Sequence, residues 1–377
     1  MIHQKPLTSV LIKPSGPDCN LGCQYCFYTG KAALFGPGTR HRMSRNLLET
    51  TIRQVMEQSP EHIAFSWQGG EPSLMGLPFF EVAVRLERQY GDGKLVGNAF
   101  QTNGLLIDDR WARFFCDNQF LVGLSLDGPE HVHDRYRRKT NGSPSWARVM
   151  YGVEWMWKYG VAVNSVSTVT RYSAEHVDEV YDFLKQTGFR YMQFVPVVEE
   201  SDGTARLADY SVLPDQYGEF LVSLFGRWLE DFTPEGPTTF VRFFDAVFNK
   251  YAGLEPAECE MKQSCGTYVV IEHNGDVYPC DFFVAPEWRL GSLRDDTLVG
   301  MLNSPKQDAF GSAKAHLPTA CLSCAWLKYC QGGCPKDRLR NPARNGTSYF
   351  CESYKRFFER ADRQLRELAC RWKQAGN

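Results

Sequence analysis

Long apolar runs are missing from this chain: no stretch of its 377 residues approaches the ~20 consecutive apolar positions that a membrane-spanning helix needs. Its opening, "MIHQKPLTSVLIKPSG", holds no apolar core of signal-peptide length, so a cytoplasmic location is expected and a membrane partner is not. A charge excess is missing as well. Lys and Arg total 42 against 44 Asp and Glu, and the net charge of -2 gives no whole-protein field for gathering nucleic acid, although local basic patches stay possible. No nucleic-acid partner is expected. There is no fixed-period repeat and no low-complexity tract; "NGS" at Asn141 and "NGT" at Asn345 match a glycosylation pattern that a cytoplasmic location makes moot.

What is present is cysteine. Thirteen of them in a cytoplasmic chain are not explained by disulfides, because that compartment keeps thiols reduced. Cys116 and Cys370 stand alone on helical patterns and are expected to be small core residues. All the others cluster. "CNLGCQYCFY" places Cys19, Cys23 and Cys26 in a CxxxCxxC spacing near the start, and Cys259, Cys265, Cys280, Cys321, Cys324, Cys330, Cys334 and Cys351 follow much later. Three thiolates leave a coordination site open, whereas structural zinc is normally closed by four protein ligands. His41 could close a site in principle, but it lies well down a Gly/Pro-rich loop and is not expected to do so.

Short apolar runs alternate with amphipathic helical stretches through the first two thirds of the chain. Strands are expected at Ser9 to Lys13, Ile63 to Trp67, Asn98 to Thr102, Phe120 to Leu126, Val161 to Thr168 and Tyr191 to Val197. Between them helices are expected, such as Arg45 to Gln58, Phe79 to Tyr90, Asp108 to Asn118, Trp146 to Tyr159 and Glu175 to Thr187. Six strand-then-helix units imply an α/β fold with parallel pairing, either an incomplete barrel or a doubly wound sheet. Both put chemistry at the C-terminal ends of strands, and there the unusual residues fall: "CNLGCQYC" and "QGGEP" follow strands one and two, "QTNG" overlaps the end of strand three and "SLDGP" ends strand four. From about Pro234 long helices thin out and hairpin pieces appear, with Asn274-Gly275 a strong turn signal. A boundary is expected there, dividing 1-233 from 234-377.

Cys19, Cys23 and Cys26, with Tyr25 just before the last, resemble the signature of the radical S-adenosylmethionine (SAM) superfamily. Placed after the first strand of a βα series and followed by "GGEP", the resemblance is strong. It implies a partial (β/α)6 barrel whose three thiolates hold a [4Fe-4S] cluster, the free iron taking the amino and carboxylate groups of SAM. In such a cradle Gly69 and Gly70 let a ligand approach the backbone, and Glu71 offers a carboxylate to the methionine ammonium. Ser125 can bond a ribose hydroxyl and Arg137 can neutralise the methionine carboxylate. The resemblance alone singles out Tyr25, Gly70, Arg137 and Val198 as SAM contacts, and Gln68 is counted with the cofactor-binding residues.

The later cysteines, "CLSCAWLKYCQGGC" with the upstream GxxxxC and Cys351, resemble the SPASM pattern of radical enzymes that modify peptides. Alone they would favour zinc knuckles, since CxxC pairs are commonest there; the radical signature reverses that choice. The resemblance implies two auxiliary clusters, Cys259, Cys265, Cys280 and Cys334 holding one and Cys321, Cys324, Cys330 and Cys351 the other. Three [4Fe-4S] clusters are thus expected in all.

Along nearly its whole length the sequence resembles the anaerobic sulfatase-maturating enzymes, through "LIKPSGPDCNLGCQYCFY", "WQGGEP", "QTNGLLID", "FLVGLSLDGP", "GDVYPCDFFV" and "CESYKRFF". Pro335 after the last cysteine of "CQGGC" is a departure. The resemblance implies oxidation of a Cys or Ser in a sulfatase polypeptide bearing CxPxR or SxPxR to Cα-formylglycine, with an electron donor such as flavodoxin or ferredoxin. It places the proton acceptor at Asp281. A carboxylate of pKa about 4 is a poor base for a thiol near about 8.5, so burial and electron loss from the neighbouring carbon are expected to help. The alternative is another SPASM enzyme forming thioether or carbon-carbon crosslinks; such relatives often carry an N-terminal leader-binding domain, whereas here the radical motif begins almost at once.

Overall fold

The computed structural model describes residues 4-36, 40-201, 206-233, 236-343 and 345-374. Along the chain run β1 (Ser9–Lys13), α1 (Arg45–Gln58), β2 (His62–Trp67), α2 (Leu77–Tyr90), β3 (Leu95–Thr102), α3 (Asp109–Asp117), β4 (Leu121–Ser125), α4 (Glu130–Tyr136), α5 (Trp146–Lys158), β5 (Ala162–Val169), α6 (Val177–Gln186), β6 (Tyr191–Pro196), α7 (Pro214–Leu229) and α8 (Arg242–Ala252). Later come short strands Val269–Glu272, Asp276–Tyr278 and Gly291–Ser292, and a long helix, Cys351–Gln374. The fold is α/β. β1 and α1 have the bounds expected from sequence, and the other five strands and four helices lie where the periodicity placed them, with ends moved by a few residues. No helix of the described residues is long and apolar enough to cross a membrane.

The chain forms two compact units that interleave in sequence. The first comprises Met1–Ser125, Arg137–Val163 and Gly266–Gly311. Its sheet runs Gly291–Ser292, Asp276–Tyr278, Val269–Glu272, β1, β2, β3, β4, with parallel pairing from Val269–Glu272 through to β4. The last three short strands pair antiparallel, and Gly275 turns between two of them at φ +92°. Ser44 and Asp108 accept backbone N–H groups at the starts of α1 and α3, caps worth about 1 kcal/mol each. Trp67, Phe80, Phe100, Trp111 and Phe115 pack edge-on or tilted between sheet and helices. Burying each such ring stabilises by roughly 2–3 kcal/mol. The indole of Trp67 donates to Asn98 Oδ1 at 2.8 Å, and Asn98 Nδ2 donates in turn to Glu87 Oε2 at 2.8 Å.

The second unit comprises Leu126–Tyr136, Asn164–Cys265 and Ser312–Asn377. In it β5 and β6 pair parallel, and Phe240–Val241 extends β6 in the same direction. The C-terminal helix lies on α7 and α8 through stacked and edge-on aromatic rings, Phe357 against Phe225 and Phe244 among them, and Ser353 Oγ donates to Pro214 O at 2.6 Å. The boundary expected at 233/234 abuts Pro234, which lies outside the described residues.

Two expectations need correction. Cys116 and Cys370 are exposed. The buried face of α3 is Trp111, Ala112, Phe114 and Phe115, and that of the last helix includes Leu365, Leu368 and Ala369. Each cysteine follows the last of these by one residue, and about 100° of helical rotation carries it off the apolar stripe.

Candidate functional site

The site begins where β1 ends. Gly16, at φ +50°, turns the chain, and its N–H donates to Lys13 O at 3.1 Å. Beyond that turn lie Cys19 and Cys23, half-buried, and Cys26, exposed. Cys19 Sγ accepts from Leu21 N–H at 3.4 Å and from Asn103 Nδ2 at 3.6 Å, so the "QTNG" segment at the end of β3 reaches the first thiol. Burial pushes the Cys19 thiol up to about 12, with the nearby Glu71 carboxylate adding to it. A metal binding there displaces the thiol proton. His41 turns Nδ1 to Asp18 Oδ1 at 2.7 Å.

The "QGGEP" segment clasps the same loop. Gln68 N–H donates to Ile12 O at 2.9 Å and Glu71 N–H to Asp18 O at 2.8 Å. Both glycines make room for the protein's own chain. A Cβ on Gly70, at φ +47°, would sit 2.1 Å from Asp18 O, and one on Gly69 would sit 2.6 Å from Lys13 Cγ. Glu71 is fully buried, accepting from Ser73 N at 3.0 Å, Thr102 Oγ1 at 2.9 Å and Asn103 N at 2.7 Å. Burial raises its carboxyl above the usual range, and these three hydrogen bonds oppose that shift. Its side chain thus ties the loop to the end of β3.

Arg137 reaches the cysteine loop from more than a hundred residues away. Leu21 bridges to Lys139, and Gly22 N–H donates to Arg138 O at 2.8 Å. The Arg137 guanidinium consequently stands 3.9 Å from Cys23 Sγ and 5.4 Å from the Tyr25 ring centroid. Ser125, at the end of β4, accepts from Gln101 Nε2 at 3.1 Å. Val198, fully buried, belongs to the second unit.

Asp281, next to Cys280, is nearly buried in the first unit. Gln68 Nε2 donates to its Oδ2 at 2.8 Å, and Lys13 Nζ forms an ion pair with its Oδ1. The Lys13 ammonium lies 3.4 Å from the centroid of Tyr28, whose hydroxyl donates to the buried Glu272. Burial, then the Glu272 charge, raises the Tyr28 hydroxyl well above its ordinary value. Tyr268 donates to Cys280 Sγ at 3.7 Å. Sequence reasoning singled out Asp281 and Gln68, which meet here, and did not single out Lys13, Tyr28 and Glu272, which join them. The one signal was a lysine closing the apolar run "SVLIK" at the chemically active end of a strand.

In the second unit Cys321, Cys324, Cys330 and Cys351 line one cavity of about 400 Å³, its open mouth included, together with Trp326, Tyr354 and Lys355. Among the described residues no three His, Cys, Asp or Glu side chains converge as ligands of a single ion. Four thiols ringing a cavity fit a polyatomic iron-sulfur cluster, since thiolate sulfur is its customary donor. Cys259, Cys265 and Cys334 are also in this unit and Cys280 is in the first. Lys314 Nζ donates to Cys259 O and Glu260 O, each at 2.8 Å, and burial pulls its ammonium below the usual lysine range against the pull of the nearby cysteines.

The radical SAM superfamily model matches residues 14–184, and an iron-sulfur cluster-binding domain, SPASM, matches residues 259–325. The chain is a radical SAM protein with a SPASM domain. It is 39% identical to a serine-type anaerobic sulfatase-maturating enzyme of Bacteroides thetaiotaomicron, over 94% of this chain and 89% of that one. It is 36% identical to a cysteine-type anaerobic sulfatase-maturating enzyme of Clostridium perfringens, over 97% and 99%. A solved structure of native anSMEcpe with bound AdoMet and Cp18Cys peptide superposes with a TM-score of 0.89 at 35% identity, covering 97% of this chain and all of that one. The chain belongs to the anaerobic sulfatase-maturating enzymes.

Proposed function

We propose that this protein oxidises a Cys or Ser within a CxPxR or SxPxR motif of a sulfatase polypeptide to Cα-formylglycine, beginning with removal of a Cβ hydrogen. The observation that carries this reading is the hydrogen bond from Gln68 to Asp281. It joins the segment read as the SAM cradle to a buried carboxylate beside Cys280, which supports a base acting close to the site proposed for the radical. When loaded, the SAM and three [4Fe-4S] clusters supply the 5'-deoxyadenosyl radical and take up the electron that the substrate carbon gives. Asp281 accepts the thiol or hydroxyl proton, and loss of hydrogen, electron and proton leaves a thioaldehyde or an aldehyde. Water then converts the thioaldehyde to aldehyde and hydrogen sulfide.

Cys19, Cys23 and Cys26 would hold the SAM-binding cluster, Cys321, Cys324, Cys330 and Cys351 one auxiliary cluster, and Cys259, Cys265, Cys280 and Cys334 the other. Tyr25, Ser125, Arg137 and Val198 are the proposed SAM contacts. The backbone of Gln68, Gly69 and Gly70 is proposed to line the SAM cradle, with the Glu71 carboxylate, whose three donors leave it an acceptor lone pair, as the partner of the methionine ammonium. The functional division is kept near Pro234, a cytoplasmic location is inferred, and a flavodoxin or ferredoxin is the proposed reductant. Mass spectrometry of CxPxR and SxPxR peptides after anaerobic incubation with SAM and reductant tests the reaction. Aldehyde formation on either peptide is the expected result, and a crosslinked or unchanged peptide in both cases overturns it.

A further inference from the structure

Lys13 is the last residue of β1, and no part of it is exposed. A buried ammonium persists only where charge and shape are both matched. Here the match is built from two directions. The parallel register sets Ile12 opposite Trp67, so Lys13 and Gln68 leave neighbouring strand ends side by side. On its other flank Lys13 pairs in register with Glu272. The lysine stem runs over Gly69, where any Cβ would come within 2.6 Å of it, and its ammonium lies over the Tyr28 ring. Both contacts steer Nζ to Asp281 Oδ1 while Gln68 holds Oδ2.

We propose that Lys13 is the positioning residue for Asp281, clamping the carboxylate together with Gln68 so that a free lone pair faces the substrate's departing proton; this rests on Asp281 being the proton acceptor. A carboxylate turns readily about its last torsion, because sp³–sp² rotations have broad minima. One hydrogen bond leaves that rotation open. Two contacts, one to each oxygen and from different strand ends, close it, and each oxygen keeps a second lone pair for an incoming proton. Proton transfer in the oxidation step depends on that alignment.

The test uses anaerobically reconstituted holoenzyme and a CxPxR peptide, with formylglycine and 5'-deoxyadenosine counted in the same reaction. Lys13→Met should lower formylglycine per 5'-deoxyadenosine by about tenfold, a size ordinary for loss of alignment in proton transfer, with the peptide KM held within about twofold. Lys13→Arg, which keeps cation and donor, should recover the ratio to within about threefold of wild type. In an Asp281→Asn background, adding Lys13→Met should change the ratio less than about twofold, because the group it positions is gone. A wild-type ratio in Lys13→Met, or an equal further loss in the Asp281→Asn background, overturns the proposal and leaves Lys13 a packing residue. A wild-type ratio in Asp281→Asn alone overturns the base reading and the Lys13 proposal with it. If Lys13→Met does not assemble as holoenzyme, Lys13→Gln is judged by the same criteria.

Discussion

Replacing Glu87 by Gln tests how a carboxyl survives inside the first unit. Glu87 is 4% exposed on α2, accepts from Asn98 at 2.8 Å, and has its other oxygen buried without a hydrogen-bond partner. Burial pushes its carboxyl up to about 7, with the Asn98 hydrogen bond and the Arg88 charge pulling the other way. The folded state therefore holds the proton more tightly than the unfolded chain, whose carboxyl titrates at an ordinary value near 4.5. A raised pKa gives a contribution fully present below about 4.5 and lost as pH rises through about 7. The full loss is about 3 kcal/mol, of which about 2 kcal/mol falls between pH 5.5 and 8. Gln keeps an acceptor for Asn98 and cannot ionise. Anaerobic thermal melts of wild type and Glu87→Gln at the two pH values should show the variant gaining several degrees on wild type as pH rises. A difference between the two proteins that does not change with pH would refute the reasoning.

Replacing Cys19, Cys23 and Cys26 together by Ala should abolish 5'-deoxyadenosine formation while about two thirds of the iron remains, as quantified by iron analysis, because the eight later cysteines are untouched; stoichiometric zinc in place of that iron would defeat the cluster assignment. Asp281→Asn retains shape and accepts no proton readily, so formylglycine should fall by about two orders of magnitude while the clusters stay and 5'-deoxyadenosine still forms. Wild-type formylglycine would make Asp281 a structural neighbour of the cluster. Gly70→Ala drives a Cβ to 2.1 Å from Asp18 O at a left-handed φ, a backbone cost of about 1–2 kcal/mol before the clash is counted. Loss of SAM cleavage and a lower melting temperature are expected, and normal values for both would show that the two loops need not close on each other.

The outline of the fold was legible because periodicity reports which face is buried, and β1 and α1 came out at their expected bounds. The CxxxCxxC loop was legible for a similar reason: its three cysteines are local in sequence, and their spacing is what carries the resemblance. Cys116 and Cys370 were not, since a single cysteine at a stripe's edge differs from a buried one by one helical step. Arg137 could be suspected by resemblance alone; the bridge from Leu21 to Lys139 is what brings it to Cys23.

By itself, then, the sequence determined the α/β alternation, the cysteine ligand sets worth considering, and the family to which they point, because each depends on spacing along the chain. Tertiary structure decided which polar groups meet. The strand Val269–Glu272 adds in parallel to β1, bringing Asp281 back to a lysine and a glutamine that lie more than two hundred residues earlier. Beyond its place at the end of the apolar run "SVLIK", nothing in the sequence says that Lys13 is buried, since an isolated ammonium is too strongly hydrated to bury. Only the folded sheet supplies the carboxylate, the aromatic face and the missing Cβ of Gly69 that together let it sit inside.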